Sequence, residues 1–186
     1  MIIYIHGFSS HGLGGKARAL RTYYAEKEET FIAPSLSYVP ELAMQTLEEL
    51  ISACGDVKLI GSSLGGYYAL YLAEKYDLKT VLINPSVYPY KTLSKVLGEV
   101  PNYYDSTHFE WKRSHLEILK QYETTVREQS SIMLLLQKGD EVLDYREAVK
   151  KVPDARVHLE EGGDHGFVGI ERYFDKIADF FREEIK

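Results

Sequence analysis

The sequence contains very little sulfur. One of its 186 residues is cysteine, Cys54, and three are methionine. A lone cysteine has no intramolecular disulfide partner, and a zinc centre built on several thiolates is excluded with it. Cys54 lies in an apolar stretch before Gly55, where a small thiol packs as a hydrophobe. Tryptophan is as scarce: Trp111 stands alone beside 15 tyrosines. A basic excess is missing too, since 22 Lys and Arg face 28 Asp and Glu, a net charge of −6. The cations are scattered, with no run that could track phosphates, so no nucleic-acid partner is expected. No apolar run reaches the length of a membrane span. The chain opens on Ile2-Ile3-Tyr4-Ile5 without the positive region, apolar segment and cleavage site of a signal peptide, so a cytoplasmic protein is expected.

What is present is an alternation. A hydrophobic fraction of 45% and a length of 186 residues suit one globular domain, residues 1–186. Short apolar runs at Ile2–Ile5, Thr30–Ala33, Val57–Ile60, Thr80–Ile83, Ile132–Leu136 and Arg156–Leu159 read as strands. They are apolar at nearly every position, as in strands covered on both faces. Helical patterns fall between them at Lys16–Lys27, Glu41–Ala53, Leu64–Lys75, Tyr145–Lys151 and Ile170–Glu184. The expected fold is α/β, a mostly parallel sheet of about six strands with helices on both faces. The rhythm breaks between the fourth and fifth strands. There an aromatic-rich insertion, about 85–130, reads as a small cap with one helical pattern near His108–Tyr122.

The run Gly61-Ser62-Ser63-Leu64-Gly65 joins the third strand to the helical pattern after it. In an open parallel sheet, ligands gather at the carboxyl ends of the strands. A G-x-S-x-G turn in that setting is a nucleophile elbow, which lifts the hydroxyl of Ser63 out of the sheet while Ser62 points elsewhere. A serine hydroxyl needs a base to take its proton, and the base needs an orienting acid. The base expected is His165, in the glycine-rich loop Glu160–Phe167 after the last strand. His108, His115 and His158 fall in the cap or a strand, His11 comes too early, and His6 reads as a structural hydrogen-bonder. For the acid, Asp140 follows the fifth strand. Asp144 and Glu141 compete, although Asp144-Tyr145-Arg146-Glu147 reads as a capping box. An oxyanion hole needs two backbone N–H groups. Leu64, after the nucleophile, is one candidate, and Phe8 in His6-Gly7-Phe8-Ser9 is the other.

The stretches "YIHGFSSHG", "GSSLGGYYALYLAEKY", "LINPSVYPY", "LLLQKGDEVLDYREAV" and "EEGGDHGF" resemble the α/β-hydrolase superfamily, and more narrowly the small YqiA-type bacterial esterases. The resemblance implies a carboxylesterase or thioesterase for aryl esters and fatty acyl thioesters, with Ser63, Asp140 and His165 as its triad. Tyr88 stands where such proteins commonly carry a basic residue. The partner expected is a small-molecule ester or acyl thioester, acyl-CoA among them, and neither a metal nor a cofactor is needed. An acyltransferase on the same scaffold and a non-catalytic binding protein are the alternatives. Gly12-Leu13-Gly14-Gly15-Lys16-Ala17 formally fits a dinucleotide fingerprint, but it begins well past the strand end. It reads as a flexible approach to the first helix, where Lys16 could meet a phosphate. The cap aromatics read as packing or as an apolar slot for an acyl or aryl group.

Overall fold

The structure is a computed structural model that describes residues 1–183. The first half of the chain forms β1 (Ile2–Ile5), α1 (Gly15–Glu26), β2 (Phe31–Ile32), α2 (Pro40–Ala53), β3 (Lys58–Ser62), α3 (Leu64–Tyr76) and β4 (Thr80–Ile83). An insertion follows, with α4 (Pro89–Thr92), β5 (Gly98–Pro101), β6 (His108–Trp111) and α5 (Arg113–Gln121). The chain closes with β7 (Ile132–Gln137), α6 (Tyr145–Lys151), β8 (Arg156–Glu160) and α7 (Phe174–Arg182).

Six strands form one parallel sheet in the order β2-β1-β3-β4-β7-β8. Because side chains alternate along a strand, β1, β3, β4 and β7 each feed two cores, whereas β8 at the margin leaves Val157 and Leu159 exposed, against the expectation of cover on both faces. Ile2, Tyr4, Ile60, Val81, Ile83, Met133 and Leu135 pack with Leu20 and Tyr24 of α1 and Ile177 and Phe180 of α7. Ile3, Ile5, Leu59, Leu82, Leu134 and Leu136 pack with Leu47 of α2 and Leu70 of α3 on the other face. Nearly all these side chains are fully buried, each contributing about 1.5–3 kcal/mol. Double coverage explains why the strands read as unbroken apolar runs. Parallel strands also end at one edge of the sheet, so the loops after β1, β3, β7 and β8 come together there.

Several elements differ from the sequence expectation. The second strand shrinks to two residues at the sheet margin. Ile170–Tyr173 is a short 3-10 turn, the final helix runs over Phe174–Arg182, and Glu184 lies outside the described residues. The largest change is in the insertion. His108–Trp111 is not helical but pairs antiparallel with Gly98–Pro101, and only Arg113–Gln121 is helix. This hairpin is not paired with the main sheet and leaves half of its residues exposed, so no long apolar run announces it. Trp111 is its anchor, buried against Phe8 with ring centroids 4.8 Å apart. Among the described residues no helix is long and apolar enough to cross a membrane.

Candidate active site

Ser63 sits between the last residue of β3 and the first of α3 with φ 54° and ψ −123°. A non-glycine residue at positive φ is costly unless its surroundings hold it there. Close packing supplies that hold. A Cβ on Gly65 would lie 2.1 Å from the Ile5 carbonyl oxygen, and one on Gly61 would lie 2.5 Å from the Gly65 carbonyl oxygen. Only glycine lets β1, β3 and α3 approach so closely. The Ser63 N–H donates to the Ile83 carbonyl at 3.2 Å, and the Ser63 carbonyl accepts from Gly66 and Ser86.

The His165 loop brings its ring to this turn. Ser63 Oγ and His165 Nε2 are 3.0 Å apart, and His165 Nδ1 lies 3.0 Å and 2.9 Å from the two Asp140 carboxylate oxygens. A carboxylate can only accept, so the ring proton belongs on Nδ1. Nε2 is then the acceptor for the serine hydroxyl. Asp140 also accepts from the N–H groups of Val142 and Leu143 at 2.9 Å and 2.8 Å. Burial works against its charge, but the His165 bond and these two N–H groups outweigh it and hold its pKa below the ordinary carboxylate range. The carboxylate therefore faces the imidazole as a fixed negative charge.

The other candidates are placed apart from this chain of bonds. Asp144 caps α6 by accepting from the Arg146 N–H at 3.0 Å, so the sequence signal there marks a helix start. Glu141 accepts from the His165 backbone N–H at 3.0 Å and holds the loop rather than the ring. His6 is buried, its Nδ1 meeting the Gly7 carbonyl at 2.8 Å and its Nε2 accepting from the Leu36 N–H at 2.9 Å. This fixes the loop that carries Phe8. Among the described residues, the backbone N–H groups of Phe8 and Leu64 donate to no protein acceptor. Both residues line the cavity that contains Ser63 and His165. That cavity has a volume of about 550 Å³, with Pro89, Leu93, Val96, Leu97, Val100 and Leu143 as apolar wall. Among the described residues no group of three or more His, Cys, Asp and Glu side chains is placed to hold a metal ion.

Two residues missed in the sequence position the histidine loop. Gln137, 2% exposed at the end of β7, accepts through Oε1 from the N–H groups of Asp164 at 3.2 Å and Val168 at 3.0 Å. Its amide donates to the Val168 carbonyl and the Glu160 carboxylate. Asn84, just past β4 at φ 38°, donates to the Asp164 carbonyl at 2.9 Å and accepts from the Gln137 N–H at 3.0 Å. The only available signal was a polar residue closing an apolar strand, which by itself names no partner.

The family model of UPF0227, an uncharacterised protein family, matches residues 1–182. A curated relative, the UPF0227 protein YcfP of Salmonella paratyphi A, is 25% identical over 97% of this chain and 98% of its own length. Mouse alpha/beta hydrolase domain-containing protein 10 superposes with a TM-score of 0.73 at 22% identity, covering 96% of this chain and 88% of that one. A monoacylglycerol lipase from Paleococcus ferrophilus gives a TM-score of 0.71 at 16% identity, covering 97% and 93%. The sheet order and these likenesses give the chain the α/β-hydrolase fold. It is a member of the UPF0227 family.

Proposed function

We propose that the protein is a serine hydrolase that cleaves carboxylic esters or acyl thioesters through an acyl-enzyme. The observation that carries this reading is the unbroken chain Ser63 Oγ, His165 Nε2, His165 Nδ1 and Asp140 carboxylate, whose Ser63 and His165 line an apolar-walled cavity. In this reading Ser63 Oγ attacks the substrate carbonyl while its proton passes to His165 Nε2. Asp140 keeps the ring in the required tautomer and stabilises its cation. The N–H groups of Phe8 and Leu64 receive the oxyanion, each worth on the order of 10²–10³ in rate. His165 then gives its proton to the leaving alcohol or thiol as the carbonyl carbon releases it. Water repeats the sequence on the acyl-serine, leaving a carboxylic acid and free Ser63.

Nucleophile, base, acid and oxyanion donors all come from the chain, so no metal or cofactor enters the chemistry. The whole chain acts as one domain, with the insertion after β4 as its cap, on a small-molecule substrate in the cytoplasm. The apolar wall of the cavity suits an acyl or aryl group, and the shared fold with a monoacylglycerol lipase supports hydrolysis of this kind.

The test is a panel of p-nitrophenyl esters and acyl-CoA thioesters of graded acyl length, assayed with the native protein and Ser63→Ala. Turnover is expected in the native protein and absent in the variant, with one chain length favoured. Equal rates in both proteins, or none in either, would refute the proposal.

A further inference from the structure

Ser63 borders a second cavity of different character. Besides the apolar slot of about 550 Å³, a smaller chamber of about 230 Å³ opens on Ser63 and His165. Phe8 and Tyr103 border both spaces. Leu64, with its free N–H, faces only the larger space, whereas Lys16 and Gly166 line only the smaller one. An ester seated on Ser63 with its oxygen at the Phe8 and Leu64 N–H groups has two halves to place. One half fits the apolar slot. The other, the half that receives a proton from His165, is left the smaller chamber, which His165 also borders.

That chamber contains a cation with unused hydrogen-bond donors. Lys16 is half-buried at the start of α1, and its ammonium donates to the Gly166 carbonyl at 2.7 Å. An ammonium has three donors, and no carboxylate among the described residues forms an ion pair with this one. Burial lowers its pKa, while Asp164 and Asp140 act on it from a distance and pull the other way. The remaining N–H groups of this ammonium are open to donate charge-assisted hydrogen bonds to an anion that enters the chamber. Gly14 and Gly15 line the same chamber, so the positive end of the α1 dipole adds to the field there.

We infer that the Lys16 chamber is a leaving-group subsite for a short alcohol carrying an anionic group, either a carboxylate or a phosphate. The inference rests on the hydrolase reading above and adds a polarity to the substrate, with an apolar acyl half and a small anionic half. A chamber of about 230 Å³ shared by Ser63 and Lys16 places that anion a few bonds from the cleaved ester.

Three butyrate esters separate the outcomes: those of ethylene glycol, glycolic acid and 2-hydroxyethyl phosphate, with p-nitrophenyl butyrate as reference. The quantity read is kcat/KM of each anionic ester relative to the glycol ester, in the native protein, Lys16→Gln and Lys16→Arg. For at least one anionic ester the ratio is expected to fall roughly tenfold in Lys16→Gln, the order of one charged hydrogen bond, and to be largely kept in Lys16→Arg. The ester that responds identifies carboxylate or phosphate. The same ratios in all three proteins, or a fall of all esters by one factor, would mean that Lys16 only props Gly166 and would overturn the subsite. So would turnover of p-nitrophenyl butyrate with none of the three esters cleaved. Loss of the hydrolase reading itself looks different, because then the native protein cleaves none of the four.

Discussion

Gln137→Met tests whether the histidine loop is held from beneath. The exchange roughly conserves volume, so packing changes little, but a thioether is a weak acceptor and donates nothing. The Asp164 and Val168 N–H groups lose their common acceptor, and the Val168 carbonyl and Glu160 carboxylate lose a donor. A buried N–H left without a partner costs about 1–3 kcal/mol. The outer face of the loop is exposed, so water can recover part of this, and a total of about 2–3 kcal/mol follows. If the loop stays shut, the cost appears in global stability as a Tm lowered by roughly 5–10 °C for a chain of this size. If the loop opens instead, a shift of about 2–3 kcal/mol reduces its closed-to-open ratio by a factor of roughly 30–150. His165 then leaves Ser63, and kcat falls by about tenfold or more while KM for a short ester moves little. Scanning calorimetry and p-nitrophenyl ester kinetics on the same preparation read both routes. Native Tm together with native kcat would refute the reasoning, since the energy has nowhere else to appear.

Other outcomes follow from single contacts. Gly65→Ala places a Cβ against the Ile5 carbonyl and forces α3 away from β1. Urea unfolding should show a loss of about 3 kcal/mol or more, and an unchanged midpoint would contradict the close approach. Asp140→Asn is expected to lower kcat by roughly 10⁴-fold with the fold retained by circular dichroism, because the amide no longer enforces the His165 tautomer. Burial, aided by repulsion from His11 and opposed by the Gly7 carbonyl, lowers the His6 pKa below its ordinary 6.5. The unfolded chain therefore takes this proton first as pH falls, so the contribution of neutral His6 is complete above pH 6.5 and lost below it. The Tm difference between pH 8 and pH 5 should shrink in His6→Gln, and an equal difference would mean that His6 titrates freely.

The strands and helices of the sheet were legible because burial on both faces leaves apolar runs such as Ile2–Ile5 and Ile132–Leu136. Ser63 could be singled out because a strand, a glycine-flanked serine and a helix are consecutive in the chain. Asp140 and His165 follow strand ends, and parallel strands deliver all such ends to one edge. What stayed hidden depends on partners far along the chain. Val100 opposite Phe109 shows no periodicity that marks a hairpin standing apart from the sheet. Gln137 looks like any polar strand end until the fold brings residues 160–168 over it. Lys16 reads as a helix-start cation, and only the folded chain shows that it looks into the space beside Ser63.

The insertion leaves the sheet at β4 and re-enters at β7, and those two strands are direct neighbours with Thr80 opposite Ile132 and Ile83 opposite Leu135. Because those strands run parallel, its two ends sit at opposite edges of the sheet, Ile83 and Ile132 being held a strand's length apart, roughly 11 Å, whatever lies between them. Such a segment behaves as an exchangeable cassette: its length and composition can vary between Tyr88 and Val126 without shifting the register of any sheet strand. Its contacts with the rest of the chain travel with it, among them the Tyr67 hydroxyl donating to the Leu119 carbonyl and the Phe8 ring against Trp111. A transplanted segment that supplies a carbonyl and an aromatic at those points can remodel the apolar slot while Ser63, Asp140 and His165 keep their spacing.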